Sequence, residues 1–182
     1  MSGLDQRILL APQDGSLGPL LRIAEDRLTP RAGYGRHEHR AVDVVAVVLA
    51  GSVRHRWRDG AEVAAGDVAV LRAGAGLEHD EVAGDDGARV LQCYLRSVDA
   101  TAAPAHEVHR AASGWVDLGR ADARLWLRRA APGESVTVPA GLLVLRGVDD
   151  VVVAQQSGRA VEGPGLALVW QLDTAVPEWA RD

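Results

Sequence analysis

The chain of 182 residues contains no lysine and a single cysteine, Cys93. Without lysine, Schiff-base chemistry and phosphate binding by a lysine ammonium group are excluded. One cysteine cannot form an internal disulfide, which fits a reducing cytoplasm. Because Cys93 lies in the apolar run RVLQCYLRS, we interpret it as a small buried hydrophobic residue rather than a reactive thiol.

Long apolar runs and a surplus of positive charge are also missing. No stretch approaches the roughly 18 apolar residues of a membrane helix, and the N-terminal residues lack the basic and apolar segments of a secretory signal. The net charge is -5, with arginine and acidic residues interspersed, whereas a nucleic-acid-binding face is usually basic. We therefore expect a cytoplasmic protein with no membrane partner and no direct nucleic-acid partner.

The sequence instead contains many short apolar or alternating runs separated by glycine, proline and aspartate. Examples are VDVVAVVLAG, DVAVLRAG, RVLQCYLRS, LLVLRG and LALVWQLD. Such closely spaced short strands are typical of β-sandwiches and barrels, so we predict an all-β protein. Residues 17–28, LGPLLRIAEDRL, fit either an early helical turn or a strand.

Residues 97–114 have the weakest patterning, and we interpret them as a connector. The halves on either side share the same texture of short strands and glycine-rich turns. The simplest account is two related barrels in tandem, with domains over residues 1–100 and 101–182. Glycines at 51, 60 and 66 are expected at the corners between strands of the first domain.

Two pairs of polar residues in the first half have the spacing of metal ligands. His37 and His39 flank one residue, as do His79 and Glu81, and side chains at i and i+2 of a strand point to the same face. If the two strands face each other across a barrel, three imidazoles and one carboxylate could surround one ion. A mixed set with open positions suits non-haem iron, and manganese, nickel, copper or zinc could also bind.

The order of these motifs resembles the pirin family of the cupin superfamily. The resemblance rests on GRHEHR, GDVAVLRAGAG and HDE, and it covers about residues 30 to 97. It implies cupin-type β-barrels duplicated as a bicupin. It also implies a metal, usually iron, held by four ligands: His37, His39, His79 and Glu81. The C-terminal half has no such cluster, so we infer a degenerate barrel without a metal site.

The resemblance further implies a small-molecule substrate, a flavonol such as quercetin, whose ring some family members open with O2. In that reaction Glu81 could act as a catalytic base as well as a ligand. Two alternatives stay open. One is a redox-responsive module that binds a protein partner, as in transcriptional co-regulation, and the other is a cupin acting on a different small ligand.

Other polar and aromatic residues are assigned ordinary roles. Asp43 either orients a ligand histidine or is a satisfied polar residue. His55, flanked by two arginines, is interpreted as a hydrogen-bonded strand histidine, and His106 and His109 as connector residues. We expect the tryptophans to pack in the core; they are Trp57, Trp115, Trp126, Trp170 and Trp179.

Overall fold

The computed structural model describes residues 3–12, 15–58 and 60–174, and all regular secondary structure within these ranges is β. The all-β prediction is therefore confirmed. In chain order the strands are β1 (Leu4–Leu10), β2 (Leu20–Leu28), β3 (His37–His39), β4 (Val42–Arg56), β5 (Ala61–Ala64), β6 (Val68–Arg72), β7 (Leu77–Arg96), β8 (Ala105–His109), β9 (Gly114–Val116), β10 (Ala123–Ala130), β11 (Ser135–Val138), β12 (Gly141–Arg146), β13 (Val151–Gln156), β14 (Arg159–Glu162) and β15 (Gly165–Leu172).

The chain forms two compact units. The first comprises residues up to 14 together with 20–111, and the second comprises 15–19 together with 112–182. Strand β8 lies within 97–114, a segment expected to be an irregular connector. It instead pairs with β6 in the first unit, with His106 opposite Leu71. β8 is an edge strand, and of its five residues Glu107 is exposed while the other four are half-buried.

The first unit is an antiparallel sheet in the order β1-β2-β7-β4-β6-β8, with β3 added to β7 and β5 to β4. Its two long strands, β4 and β7, pair along most of their length. Valines and alanines of β4 are buried from Val44 to Val48, because this strand has neighbours on both edges and both faces are covered. Cys93 is buried on β7, as predicted.

Glycine residues allow both long strands to bend. Gly51 was expected at a corner between two strands, but it lies inside β4, where the pairing with β7 shifts register. Its φ of 67° is in the left-handed region, and a Cβ there would collide with the carbonyl of Gly87. Gly60 and Gly66 do lie in turns, as predicted, and Asp67 fastens the second turn by accepting a hydrogen bond from the Ala64 amide.

Of the two readings for residues 17–28, the strand is confirmed over Leu20–Leu28, where β2 pairs with β1 and β7. Residues 15–19, just before β2, form turns. No described segment is a helix long and apolar enough to span a membrane.

The second unit contains a five-stranded sheet in the order β13-β12-β15-β10-β9 and a hairpin of β11 with β14. Trp170 is buried in this unit and Trp126 packs against its core, as expected for tryptophan. Trp115 is 42% exposed and packs against the guanidinium of Arg124, which lies over its ring. Trp179 lies outside the described residues.

The packing of the first unit predicts that shortening a buried valine lowers the free energy of unfolding far more than shortening an exposed one. Val45 is 1% exposed on β4 and Val98 is 67% exposed. We expect Val45→Ala to lower the free energy of unfolding by roughly 2 kcal/mol, because two buried methyl groups are lost and a cavity remains. Val98→Ala serves as the matched control and should change it by less than about 0.5 kcal/mol. Equal urea midpoints for the two variants would contradict this packing.

Candidate metal centre

Three histidines meet where β3 pairs with the start of β7. His37 lies directly opposite His79 in the antiparallel register, and His39 follows two residues later on the same face of β3. The Nε2 atom of His37 is 3.0 Å from that of His39 and 3.0 Å from that of His79. We call these residues the three-histidine cluster.

The tautomer of His37 can be assigned from its backbone contact. Its Nδ1 lies 2.7 Å from the carbonyl oxygen of Gly35. A carbonyl oxygen only accepts hydrogen bonds, so Nδ1 carries the hydrogen and Nε2 of the neutral ring presents a lone pair. That lone pair can be satisfied by an Nε2–H of His39 or His79, or by a cation between the three rings.

Burial keeps the other two rings of the cluster neutral. The pKa of His79 is lowered to about 3, first by burial and then by the neighbouring imidazoles of His37 and His39. Burial lowers the pKa of His39 to about 4, with further contributions from His37 and Arg22. Neutral imidazole is the form that binds metal ions, so these nitrogens are available as ligands near neutral pH.

The spacing of the cluster fits a divalent metal. An ion about 2.1 Å from two nitrogens separates them by about 3.0 Å when the two bonds are perpendicular. The observed Nε2 separations of 3.0 Å match this value. Three imidazoles on one side leave further coordination positions for other ligands, which suits iron, manganese, nickel, copper or zinc.

The carboxyl group of Glu81 lies on the other side of His79. Its Oε1 is 3.9 Å from Nδ1 of His79 and 3.2 Å from Nε2 of His55, while the amide of Gln92 donates to its Oε2 at 3.2 Å. Among the described residues, Glu81 thus forms a second trio of donor atoms with His55 and His79, which shares His79 with the three-histidine cluster. The structure brings three of the four predicted ligands together and places the fourth beside them.

The position of the Glu81 carboxyl group follows from the register of β7 with β4. β7 has β3 on one edge and β4 on the other, and Glu81 lies opposite His55 of β4. The strands that contain the two ligand pairs, β3 and β7, do not face each other across a barrel. They are hydrogen-bonded neighbours in one sheet. Burial raises the pKa of Glu81 to about 8, partly offset by the hydrogen bond from Gln92.

His55 was interpreted as a hydrogen-bonded histidine, and it does lie within hydrogen-bond distance of Glu81. The two flanking arginines do not share its surroundings. Arg54 and Arg56 lie on the opposite, exposed face of β4, where they pair with Glu62 and Asp80. The alternation in SVRHRWR was the signal that separated His55 from these charges.

Residues that sequence reasoning did not single out complete the surroundings. The hydroxyl of Tyr94 donates to Oε1 of Gln92 at 3.0 Å, and the Tyr94 ring lies 5.8 Å from that of His39. Tyr34 lies 6.2 Å from the His37 ring and donates a hydrogen bond to buried Asp26. The sequence offers no motif for these four residues, because their proximity depends on strand register.

Asp43 is buried on β4 and accepts a hydrogen bond from the hydroxyl of Ser97 at 3.1 Å. This contact agrees with the reading of Asp43 as a satisfied polar residue.

His106 stacks on His55, with 4.8 Å between ring centroids and an interplanar angle of 29°. His109, also on β8, lies opposite Val68 of β6.

The residues around this site are similar to those of a known protein family. Residues 12–95, which include the three-histidine cluster and Glu81, match the family described as Pirin. A pirin-like protein 2 of Arabidopsis thaliana is 33% identical over 81 residues, which are 43% of this chain and 25% of the plant protein. The match therefore spans about a quarter of that relative's length.

Solved structures share the all-β fold over nearly the whole chain. The pirin YhhW of Escherichia coli, in complex with nickel(II), superposes with a TM-score of 0.71 at 19% identity, covering 94% of this chain and 93% of that one. A quercetin 2,3-dioxygenase of Acinetobacter baumannii gives a TM-score of 0.60 at 18% identity, covering 94% and 77% respectively. The fold thus includes the second unit, whose residues contain no histidine.

The buried histidines predict that the metal-free protein loses stability on acidification. The pKa values of His39, His55 and His79 lie between about 3 and about 4 in the fold, against 6.5 ordinarily. Below about pH 6.5 the unfolded chain therefore binds protons that the folded chain does not, and the free energy of unfolding falls until the folded pKa values are reached. Burial also lowers the pKa of His106, which adds to this loss, whereas it raises the pKa of Glu81 and of Asp26, which act in the opposite direction. Two groups thus oppose four.

Urea unfolding of chelator-treated protein, followed by tryptophan fluorescence between pH 7 and pH 4.5, measures this dependence. We expect the midpoint to fall as the pH falls, and the slope to be smaller in His79→Gln, which removes one titrating ring. A midpoint that stays constant or rises on acidification would show that these rings are not neutral in the fold.

Proposed function

We propose that the protein is a cytoplasmic, metal-dependent dioxygenase that opens the ring of a flavonol-type substrate, such as quercetin, with O2. The observation that carries this proposal is the convergence of three ring nitrogens at 3.0 Å, in which Nδ1 of His37 already faces the Gly35 carbonyl. Three neutral imidazoles that converge in this way can share one divalent cation as the acceptor of their lone pairs.

His37, His39 and His79 would hold one divalent ion, with Fe(II) the proposed metal and manganese, nickel, copper or zinc as substitutes. Bound there, the ion would lower the pKa of a substrate enol and favour its reaction with O2. His37 and His39 are partly exposed while His79 is buried. Substrate would therefore approach from the side of β3.

Glu81 is proposed as the group that takes the proton from the substrate hydroxyl, with a role as fourth ligand when the metal is bound. Its carboxyl oxygens are held by His55 and Gln92. Ala46, Val48, Val53 and Val90 lie around them. These apolar side chains exclude water, and the raised pKa that results suits a general base working near neutral pH.

Two aromatic rings support a planar aromatic substrate. Tyr34 and Tyr94 lie near His37 and His39, at 6.2 Å and 5.8 Å between ring centroids, and an aromatic substrate at the metal could contact them. The structural likeness to a protein named quercetin 2,3-dioxygenase agrees with this class of substrate.

Oxygen consumption by the iron-loaded protein tests the proposal. We expect O2 uptake with quercetin above that of free iron, and its loss in His37→Ala and His79→Ala together with the bound iron. Glu81→Gln should retain iron but turn over at least about 100-fold more slowly, since a positioned base contributes about that much or more. His109→Ala, a half-buried histidine outside the site, is the control and should keep wild-type uptake.

Iron-loaded protein that consumes no more O2 than free iron would contradict the dioxygenase reaction. If that protein nevertheless binds one iron per chain, it would act on another small ligand. Failure of both iron binding and O2 uptake would contradict the metal centre itself.

A further inference from the structure

We propose that His55 is a positioning residue that fixes the carboxyl group of Glu81 beside the three-histidine cluster. This inference rests on the proposed metal centre and extends it to a residue of the neighbouring strand. The cross-strand register places His55 directly opposite Glu81, and the contact of 3.2 Å joins Nε2 to Oε1 between side chains that are 5% and 3% exposed.

The Glu81 carboxyl is held at both oxygens. His55 contacts Oε1, and Gln92 donates to Oε2 while itself accepting a hydrogen bond from Tyr94. Two contacts from different strand positions fix the plane of a carboxyl group. A single contact would leave the group free to rotate about its Cγ–Cδ bond. Removing His55 therefore frees the oxygen that lies nearest to His79.

His55 is itself held by stacking. The ring of His106, on β8, lies 4.8 Å away at an interplanar angle of 29°. Nδ1 of His55 is buried and has no hydrogen-bond partner among the described residues. The polar contact of the His55 ring is thus Glu81. Stacking on His106 and the contact with the Glu81 carboxyl group together set the orientation of the His55 ring.

A buried histidine with one polar contact is a costly choice for a valine-lined site. Val48, Val53 and Val90 line the same space as His55, and an aliphatic side chain would pack there without an unsatisfied ring nitrogen. The presence of histidine is therefore explained by its contact with Glu81 and not by stability of the sheet.

Three substitutions at position 55 separate positioning from packing. His55→Leu keeps the volume and removes the contact. His55→Gln can place an amide nitrogen where Nε2 lies. The asparagine of His55→Asn is one methylene group shorter than glutamine, so its amide reaches only the position of Nδ1. We expect His55→Gln to behave as wild type, and the Leu and Asn variants to share one defect. Circular dichroism spectra confirm that each variant is folded.

The first readout is the place of Glu81 in crystal structures of the metal-free protein. The carboxyl group should keep its position in His55→Gln and leave it in His55→Leu. The second readout is Co(II) binding, followed by the visible absorption of the bound ion. We expect a Kd about 10- to 100-fold weaker and a changed spectrum in the Leu and Asn variants, a typical effect for a group that orients a metal site from outside.

The two readouts distinguish failure of this inference from failure of the proposed function. Unchanged Glu81 position in His55→Leu, or wild-type Co(II) affinity and spectrum in that variant, would overturn the positioning role. A wild-type protein that binds no Co(II) would overturn the metal centre, and the metal-free structures would then decide alone whether His55 positions Glu81.

Discussion

The antiparallel register of β7 with its two neighbours is the constraint on which the site depends. It sets His79 opposite His37 on one edge and Glu81 opposite His55 on the other. Because side chains alternate along a strand, all four project from one face. A shift of one residue in either ladder would turn a histidine toward solvent and dissolve the cluster.

Burial is the second determinant, and it acts in opposite directions on the two kinds of group. Removal from water disfavours the charged form, so the pKa of His79 falls to about 3 and that of Glu81 rises to about 8. The imidazoles thus remain neutral donors for a cation. The carboxyl group is held in a state in which a proton can be exchanged near neutral pH.

The sequence predicts the strands and three of the site residues because both kinds of information are local. Alternation can be read within a few residues and indicated the all-β class. The His-x-His and His-x-Glu pairs indicated the candidate ligands, and the resemblance to pirins brought the two pairs together. The partners of Glu81 could not be predicted, since His55 and Gln92 reach it only through the long pairing of β4 and β7. Strand β8 was taken for a connector because it is short and follows a proline-containing segment.

The most direct test of the metal centre is X-ray absorption at the iron edge of the iron-loaded protein. Imidazole rings scatter characteristically beyond the first coordination shell, so their number can be read from the spectrum. The account predicts about three imidazoles around one iron, as the convergence of His37, His39 and His79 requires. A spectrum with oxygen scatterers alone, and no imidazole contribution, would contradict it.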